Sequence, residues 1–208
     1  MKIYTKVKTA ATSYPVTLAE VANMVAYDLT NPMHAREETY INGLIAAATS
    51  MLEDYLGRAF VTQTLKQFMT PDLTAVSSLA GETYAYELLP DPIIIRRPPC
   101  SAVTSVTAYD QANATYVQAA GNYAKNLDIE PATITLSYGA VWEYYVAGYY
   151  VIEYTAGAAT AATVPTEIKN ALLMTIAQWY KDREQSNYTI PATATALVDH
   201  LKIESWDL

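Results

Sequence analysis

Residues 31–57 read NPMHAREETYINGLIAAATSMLEDYLG. Within them Ile41, Leu44, Ile45, Ala48, Leu52, Tyr55 and Leu56 recur at the i, i+3, i+4 spacing that lays one apolar stripe along a helix. Asn31 followed by Pro32 offers a side-chain cap and a first-turn proline, so the helix is predicted to begin there. Gly57 ends it, because glycine enters the left-handed conformation of a C′ residue without a Cβ clash. A stripe this broad demands a second apolar surface elsewhere in the chain.

Upstream, Thr17-Leu18-Ala19-Glu20 is a capping box, in which hydroxyl and carboxylate each satisfy a backbone N–H of the other residue. Leu18, Val21 and Val25 follow at helical spacing, which predicts a short helix over about 17–28. Downstream of Arg58 the pattern changes. Residues 60–155 are rich in Thr, Val, Tyr and Ile, with prolines at 71, 90, 92, 98, 99 and 131. Ala132, Ile134, Leu136 and Tyr138 alternate with Thr133, Thr135 and Ser137, and Tyr150, Ile152 and Tyr154 with Tyr149, Val151 and Glu153. Ile93-Ile94-Ile95 and the run from Val103 to Tyr109 are further strands, parted by Arg96-Arg97-Pro98-Pro99, whose prolines cannot donate to a ladder. The block reads as a small antiparallel sheet or barrel.

The second apolar surface comes after the small-residue linker at 158–163. Pro165 takes a first-turn position, Glu167 complements the helix dipole, and Ile168, Leu172, Ile176 and Trp179 make a stripe that Leu173 and Tyr180 widen. Leu44, Ile45, Ala48, Leu52, Leu172, Ile176 and Trp179 are therefore expected to share one core. The fold class is α+β: a helical core of 17–57 and a long C-terminal helix over 164–185, with an antiparallel β-rich insertion at 60–155. The whole chain, 1–208, is expected to be one domain. Its tail, 190–208, carries Ile190, Leu197, Val198, Leu201, Ile203 and Trp206, a heavy apolar load for a chain end, and includes a short helical or extended segment at 196–203.

Composition excludes much chemistry. Thirteen Lys and Arg against 21 Asp and Glu give a formal net charge of −8, unsuited to clamping nucleic acid or an anionic membrane. One cysteine, Cys100, allows neither an intrachain disulfide nor a thiolate zinc site, and reads as an inert, partly buried thiol. The two histidines, His34 and His200, form no metal pair, and the seven glycines build no phosphate loop. The first six residues have no apolar run behind their charges, so no signal peptide is expected, and no stretch approaches the roughly 18 apolar residues of a membrane span. The carboxylate neighbours Glu37/Glu38, Glu53/Asp54 and Asp182/Glu184 lie on or beside amphipathic helices, where solvated charge is the default. Asp199-His200 lacks a nucleophile on a strained turn. Arg96-Arg97 can bind phosphate or a partner's carboxylates, or else hold a strand end by local ion pairs. Eighteen Tyr against two Phe suit both half-buried sheet faces and protein contacts. No catalytic, cofactor or metal residue is assigned, and the chain is expected to be a non-enzymatic protein that works by contact.

Three stretches carry a family likeness. The run 32–60, with Leu44-Ile45-Ala46-Ala47-Ala48, Glu53-Asp54-Tyr55 and Gly57-Arg58, resembles the second helix of the head–tail connector (adaptor) proteins of long-tailed phages and gene transfer agents. Arg97-Pro98-Pro99 followed by Val103-Thr104-Ser105-Val106 and Tyr109-Asp110 resembles their central strand motif. The run from Val164-Pro165-Thr166-Glu167-Ile168 through Leu172-Leu173 to Trp179-Tyr180 and Arg183-Glu184 resembles their last long helix. Leu56 stands where many relatives have Thr, and the tail after Asn187 matches loosely.

The resemblance implies a structural virion protein of the neck: a homo-oligomeric ring, commonly a dodecamer, beneath the portal protein. The ring would extend the DNA channel and receive the stopper or tail-completion protein, with DNA passing unbound and no membrane or cofactor involved. It would sit at the portal vertex, after a stay in the host cytoplasm. Leu197, Leu201, Ile203 and Trp206 are the portal-contact candidates, and Arg96, Arg97, Trp142, Tyr144 and Tyr149 the neighbour-subunit candidates. Acidity either lines the lumen and repels DNA, or keeps the free subunit soluble. The alternative function is a β-rich module that binds carbohydrate or protein on the aromatics of 142–154.

Overall fold

Thr17 caps the first helix as its sequence predicts. In the computed structural model its hydroxyl accepts from the Glu20 N–H at 3.2 Å, and the Glu20 carboxylate accepts from the Thr17 N–H at 2.6 Å. The structure describes residues 2–27, 35–70, 76–79, 82–85, 89, 91–110, 112–140, 142, 147–183 and 188–203. They divide into two compact units, Ala11–Thr62 with Ala158–Leu208, and Met1–Ala10 with Gln63–Gly157.

The first unit is helical. Helix α1 (Leu18–Met24) is followed by α2 (Ala35–Leu56), 22 residues long, which stops at Gly57 with φ of 66°. The predicted start at Asn31-Pro32 lies outside the described residues. Helix α3 (Thr166–Lys181) and helix α4 (Ala192–Val198) complete the set, each with a proline at its N-cap. The expected long C-terminal helix over 164–185 is corrected: α3 has 16 residues, α4 only 7. Asp182 caps α3, and the Trp179 indole N–H donates to the Thr189 carbonyl at 2.8 Å, tying the returning chain back to the helix.

Both long stripes are spent on one core. Ile41, Leu44, Ile45, Ala48, Leu52 and Leu56 share a buried cluster with Ile168, Leu172, Ile176 and Trp179, and Val21, Ala194 and Val198 belong to it. Each fully buried Leu or Ile adds about 1.5–3 kcal/mol of apolar burial. Among the described residues no helix is long and apolar enough to cross a membrane.

The second unit is built of sheets. Strands β1 (Lys2–Thr9), β2 (Gln63–Thr70), β6 (Cys100–Asp110), β7 (Thr115–Val117) and β10 (Ala147–Ala156) form one sheet in the order β1-β2-β10-β6-β7, every pair antiparallel. Strands β5 (Ile93–Ile94), β8 (Tyr123–Asn126) and β9 (Thr133–Leu136) make a second sheet in the order β5-β9-β8, and β3 (Val76–Leu79) pairs with β4 (Glu82–Ala85). Strand β1 has no counterpart in the sequence reading. It carries three lysines, and its partner β2 lies some sixty residues on, so no local pattern announces it.

The register divides the large sheet into two faces. Met69, Tyr150 and Ala108 are cross-strand partners and buried, as are Leu65, Tyr154 and Val103. Gln67 sits among them, fully buried. Its amide donates to the Ile94 carbonyl and its carbonyl accepts from the Arg96 N–H, both at 2.9 Å, fastening β2 to the end of β5 where the prolines bar a ladder.

Candidate interaction surface

The groups that carry chemistry elsewhere are engaged in structure here. Glu53 accepts from the Phe60 N–H at 2.7 Å, Glu37 pairs with Arg183, and Asp199 accepts from the Tyr55 hydroxyl. Cys100 is buried, and desolvation raises its thiol pKa. Among the described residues no three His, Cys, Asp or Glu side chains could hold a metal ion. Glu184 lies outside the described residues.

What the sheet unit presents instead is an outer face crossed by an aromatic ladder. Tyr4, Phe68, Val151, Thr107 and Val117 are registered partner to partner across all five strands, so they share one face in a single row. Tyr4 lies parallel to Phe68 with ring centroids 4.7 Å apart, Phe68 meets Tyr149 at 6.3 Å, and Tyr149 stacks on Tyr109 at 4.6 Å. Val151 is buried beneath this ladder, while Tyr4 and Val117, at the two margins, are 55% and 64% exposed. A neighbouring row on the same face is charged: Lys6 stands opposite Lys66, and Lys66 and Lys8 both pair with Glu153.

The predicted neighbour-contact residues are placed unevenly. Tyr149 belongs to the aromatic ladder. Arg96 is half-buried and holds local structure: its guanidinium donates to the Ile3 carbonyl at 3.1 Å, and its own carbonyl accepts from the Tyr154 hydroxyl at 2.6 Å. Arg97 is half-buried, with a left-handed φ of 56° ahead of Pro98. Trp142 stacks against the buried Tyr123, and its indole N–H is buried without a hydrogen-bond partner among the described residues. Tyr144 lies outside the described residues. The exposed aromatic platform expected over 142–154 is corrected: Tyr150 and Tyr154 are buried on the inner face, and Tyr149 gives a ring face to Tyr109. Burial raises the Tyr154 phenol pKa strongly.

The predicted portal-contact residues lie against their own helical unit. Leu197 and Leu201 pack, partly buried, on the core that takes in Ala194 and Val198. The Ile203 N–H donates to the Leu56 carbonyl at 3.1 Å, Arg58 donates to the Leu201 carbonyl at 2.5 Å, and the Lys202 amine sits 4.5 Å from the Tyr55 ring centre. Trp206 lies outside the described residues. Nearby in sequence, the Arg183 guanidinium lies 4.3 Å from the Tyr180 ring centre and 5.3 Å from that of Tyr40, whose phenol burial pushes up to about 12. A groove of about 360 Å³ in the same unit is lined by Met24, Met174, Ala177, Gln178, Lys181 and Pro191.

The outer row was hidden from sequence reading because three of its strands, β1, β2 and β7, were not assigned. The available signal was the alternation of Gln63, Leu65, Gln67 and Met69 with Thr64, Lys66 and Phe68.

No family model matches the chain, and no curated protein matches it. Solved structures share its fold. A chain in the neck of an empty GTA particle, computed with C6 symmetry, superposes with a TM-score of 0.74 at 17% identity, covering 96% of this chain and 95% of that one. A chain in the neck of a native GTA particle, computed with C12 symmetry, gives 0.67 at 20% identity, with 96% and 94% covered. One from the virion of a native gene transfer agent particle gives 0.66 at 18% identity, with 95% and 94% covered.

Proposed function

We propose that this chain is a structural neck protein of a tailed phage or gene transfer agent, a head–tail connector (adaptor) that forms a homo-oligomeric ring. The observation that carries this reading is a likeness of fold over nearly the whole of both chains, helices and sheets together, to a protein of a GTA neck. The C6 and C12 symmetries of those necks support a ring of this chain, with twelve copies as the expected number. The ring sits beneath the portal protein, extends the DNA channel and receives the stopper or tail-completion protein. Its role is contact, without catalysis or a cofactor, and it acts in the virion after assembly from the host cytoplasm.

A formal net charge of −8 per copy suits a wall past which DNA moves without binding. Leu197, Leu201, Ile203 and Trp206 remain the residues proposed for the portal side. The test is mass measurement of the full chain alone and with portal-bearing capsids, together with co-sedimentation. A ring on the capsids supports the reading. A chain that stays monomeric and unattached overturns it.

A further inference from the structure

The large sheet has two margins, and they differ in chemistry. Strand β1 is one margin. It carries Lys2, Lys6 and Lys8, three of the 13 basic side chains of a chain whose formal net charge is −8, and no acidic residue. Tyr4 and Val7 are exposed on it, Val7 at 46%. The opposite margin is β7, where Val117 and Tyr116 are exposed.

The smaller sheet reaches toward that second margin. Gln67 of β2 reaches the carbonyl of Ile94 on β5, while Lys125 of β8 reaches the Val103 carbonyl of β6 at 2.9 Å. The order β5-β9-β8 therefore runs in the same sense as β2-β10-β6, which brings β8 to the β7 side. The segment after β8 carries Asp128, Ile129 and Glu130, all exposed, Ile129 at 45%.

The two margins also share a level. Tyr4 lies in the same cross-strand row as Val117, apolar at both ends. Val7, between Lys6 and Lys8, is level with Leu65, Tyr154 and Val103, the residue whose carbonyl holds Lys125, three positions before Asp128. One margin is thus basic, and the side of the other carries an acidic stretch. One molecule cannot bring its own two margins together, whereas successive copies in a closed ring must offer each other two different patches.

We propose that successive copies of this chain dock margin to margin: Lys2, Tyr4, Lys6 and Val7 of one copy meet Tyr116, Val117 and the acidic stretch 128–130 of the next. The proposal rests on the ring reading above and names the surface that makes the ring. A charged contact of this kind weakens as salt rises past physiological strength.

The test is a charge exchange on the full chain, with ring mass and attachment to portal-bearing capsids as readouts. Lys2→Glu with Lys6→Glu, and separately Asp128→Lys with Glu130→Lys, should each lower the ring fraction at least tenfold while the far-ultraviolet circular dichroism stays unchanged. Alternating copies in an equimolar mixture of the two variants present only opposite charges to each other, as do copies carrying all four changes in one chain, so both should regain assembly. Val117→Glu tests the apolar level and should also oppose assembly. Rings that persist in both charge variants, or that are lost in both and not regained in the combined chain, overturn the docking and leave the neck reading standing. Wild-type chain that neither forms rings nor attaches overturns both.

Discussion

The helical unit and the sheet unit use their side chains in opposite ways. In the helical unit the apolar stripes of α2 and α3 are turned on each other, and Arg183, lying over Tyr40 and Tyr180, occupies two aromatic faces. In the sheet unit a fully buried amide, Gln67, stands on the inner face, while Tyr4 and Val117 stand exposed on the outer one. A one-sided antiparallel sheet ordinarily shows apolar residues inward and polar residues outward. The departure is informative in both directions. The inner polar group replaces strand pairing that prolines forbid, and the outer row leaves apolar side chains exposed at both of its ends.

The contrast can be broken by measurement, and the largest effect belongs to the helical core. Leu172→Ala should cost about 2–5 kcal/mol on denaturant unfolding, since the side chain is fully buried and its neighbours can only partly close the cavity. A change near zero would place that stripe at an interface and erase the distinction between the units. Next in size is Gln67→Leu. It fills the same space but strands the Arg96 N–H and the Ile94 carbonyl, and the expected cost is about 2 kcal/mol. A neutral result would mean that the inner face tolerates an ordinary apolar core and that the amide holds nothing.

Legibility in the sequence followed the range of each interaction. The α2 stripe, the Thr17 box and the Gly57 stop are set by residues within a few positions of one another, and all three are present in the structure. The alternation at β9 and β10 is local too, and both strands formed. Strand β1 depends on a partner far along the chain, and β2 is defined by alternation that two inward glutamines disguise. The same limit hid the outer row, since Tyr4, Phe68, Val151, Thr107 and Val117 become neighbours only once the strand order is known. Tail residues were read as a load seeking a partner, and the partner that Leu197 and Leu201 find in the described structure is their own unit's core. Apolarity at a chain end reports the need for cover without naming what supplies it.

The smallest expected effect is the most discriminating for the outer face. Tyr4→Thr keeps a strand-forming residue on β1 and removes only the ring that stacks on Phe68. A stacked aromatic pair adds about 0.5–1.5 kcal/mol, and the half-exposed Tyr4 stands to lose the lower end of that range, so the free chain should be destabilised by about 0.5 kcal/mol. Denaturant midpoints of wild type and variant would measure it, with the slope unchanged. A loss above about 2 kcal/mol would mean that the row belongs to the unit's own core, in the manner of Leu172, and is not surface held for a neighbour. Within that small change in the free chain, a far larger loss of ring formation by the same variant would separate the two roles, because a contact made only between copies contributes nothing to the folding of one.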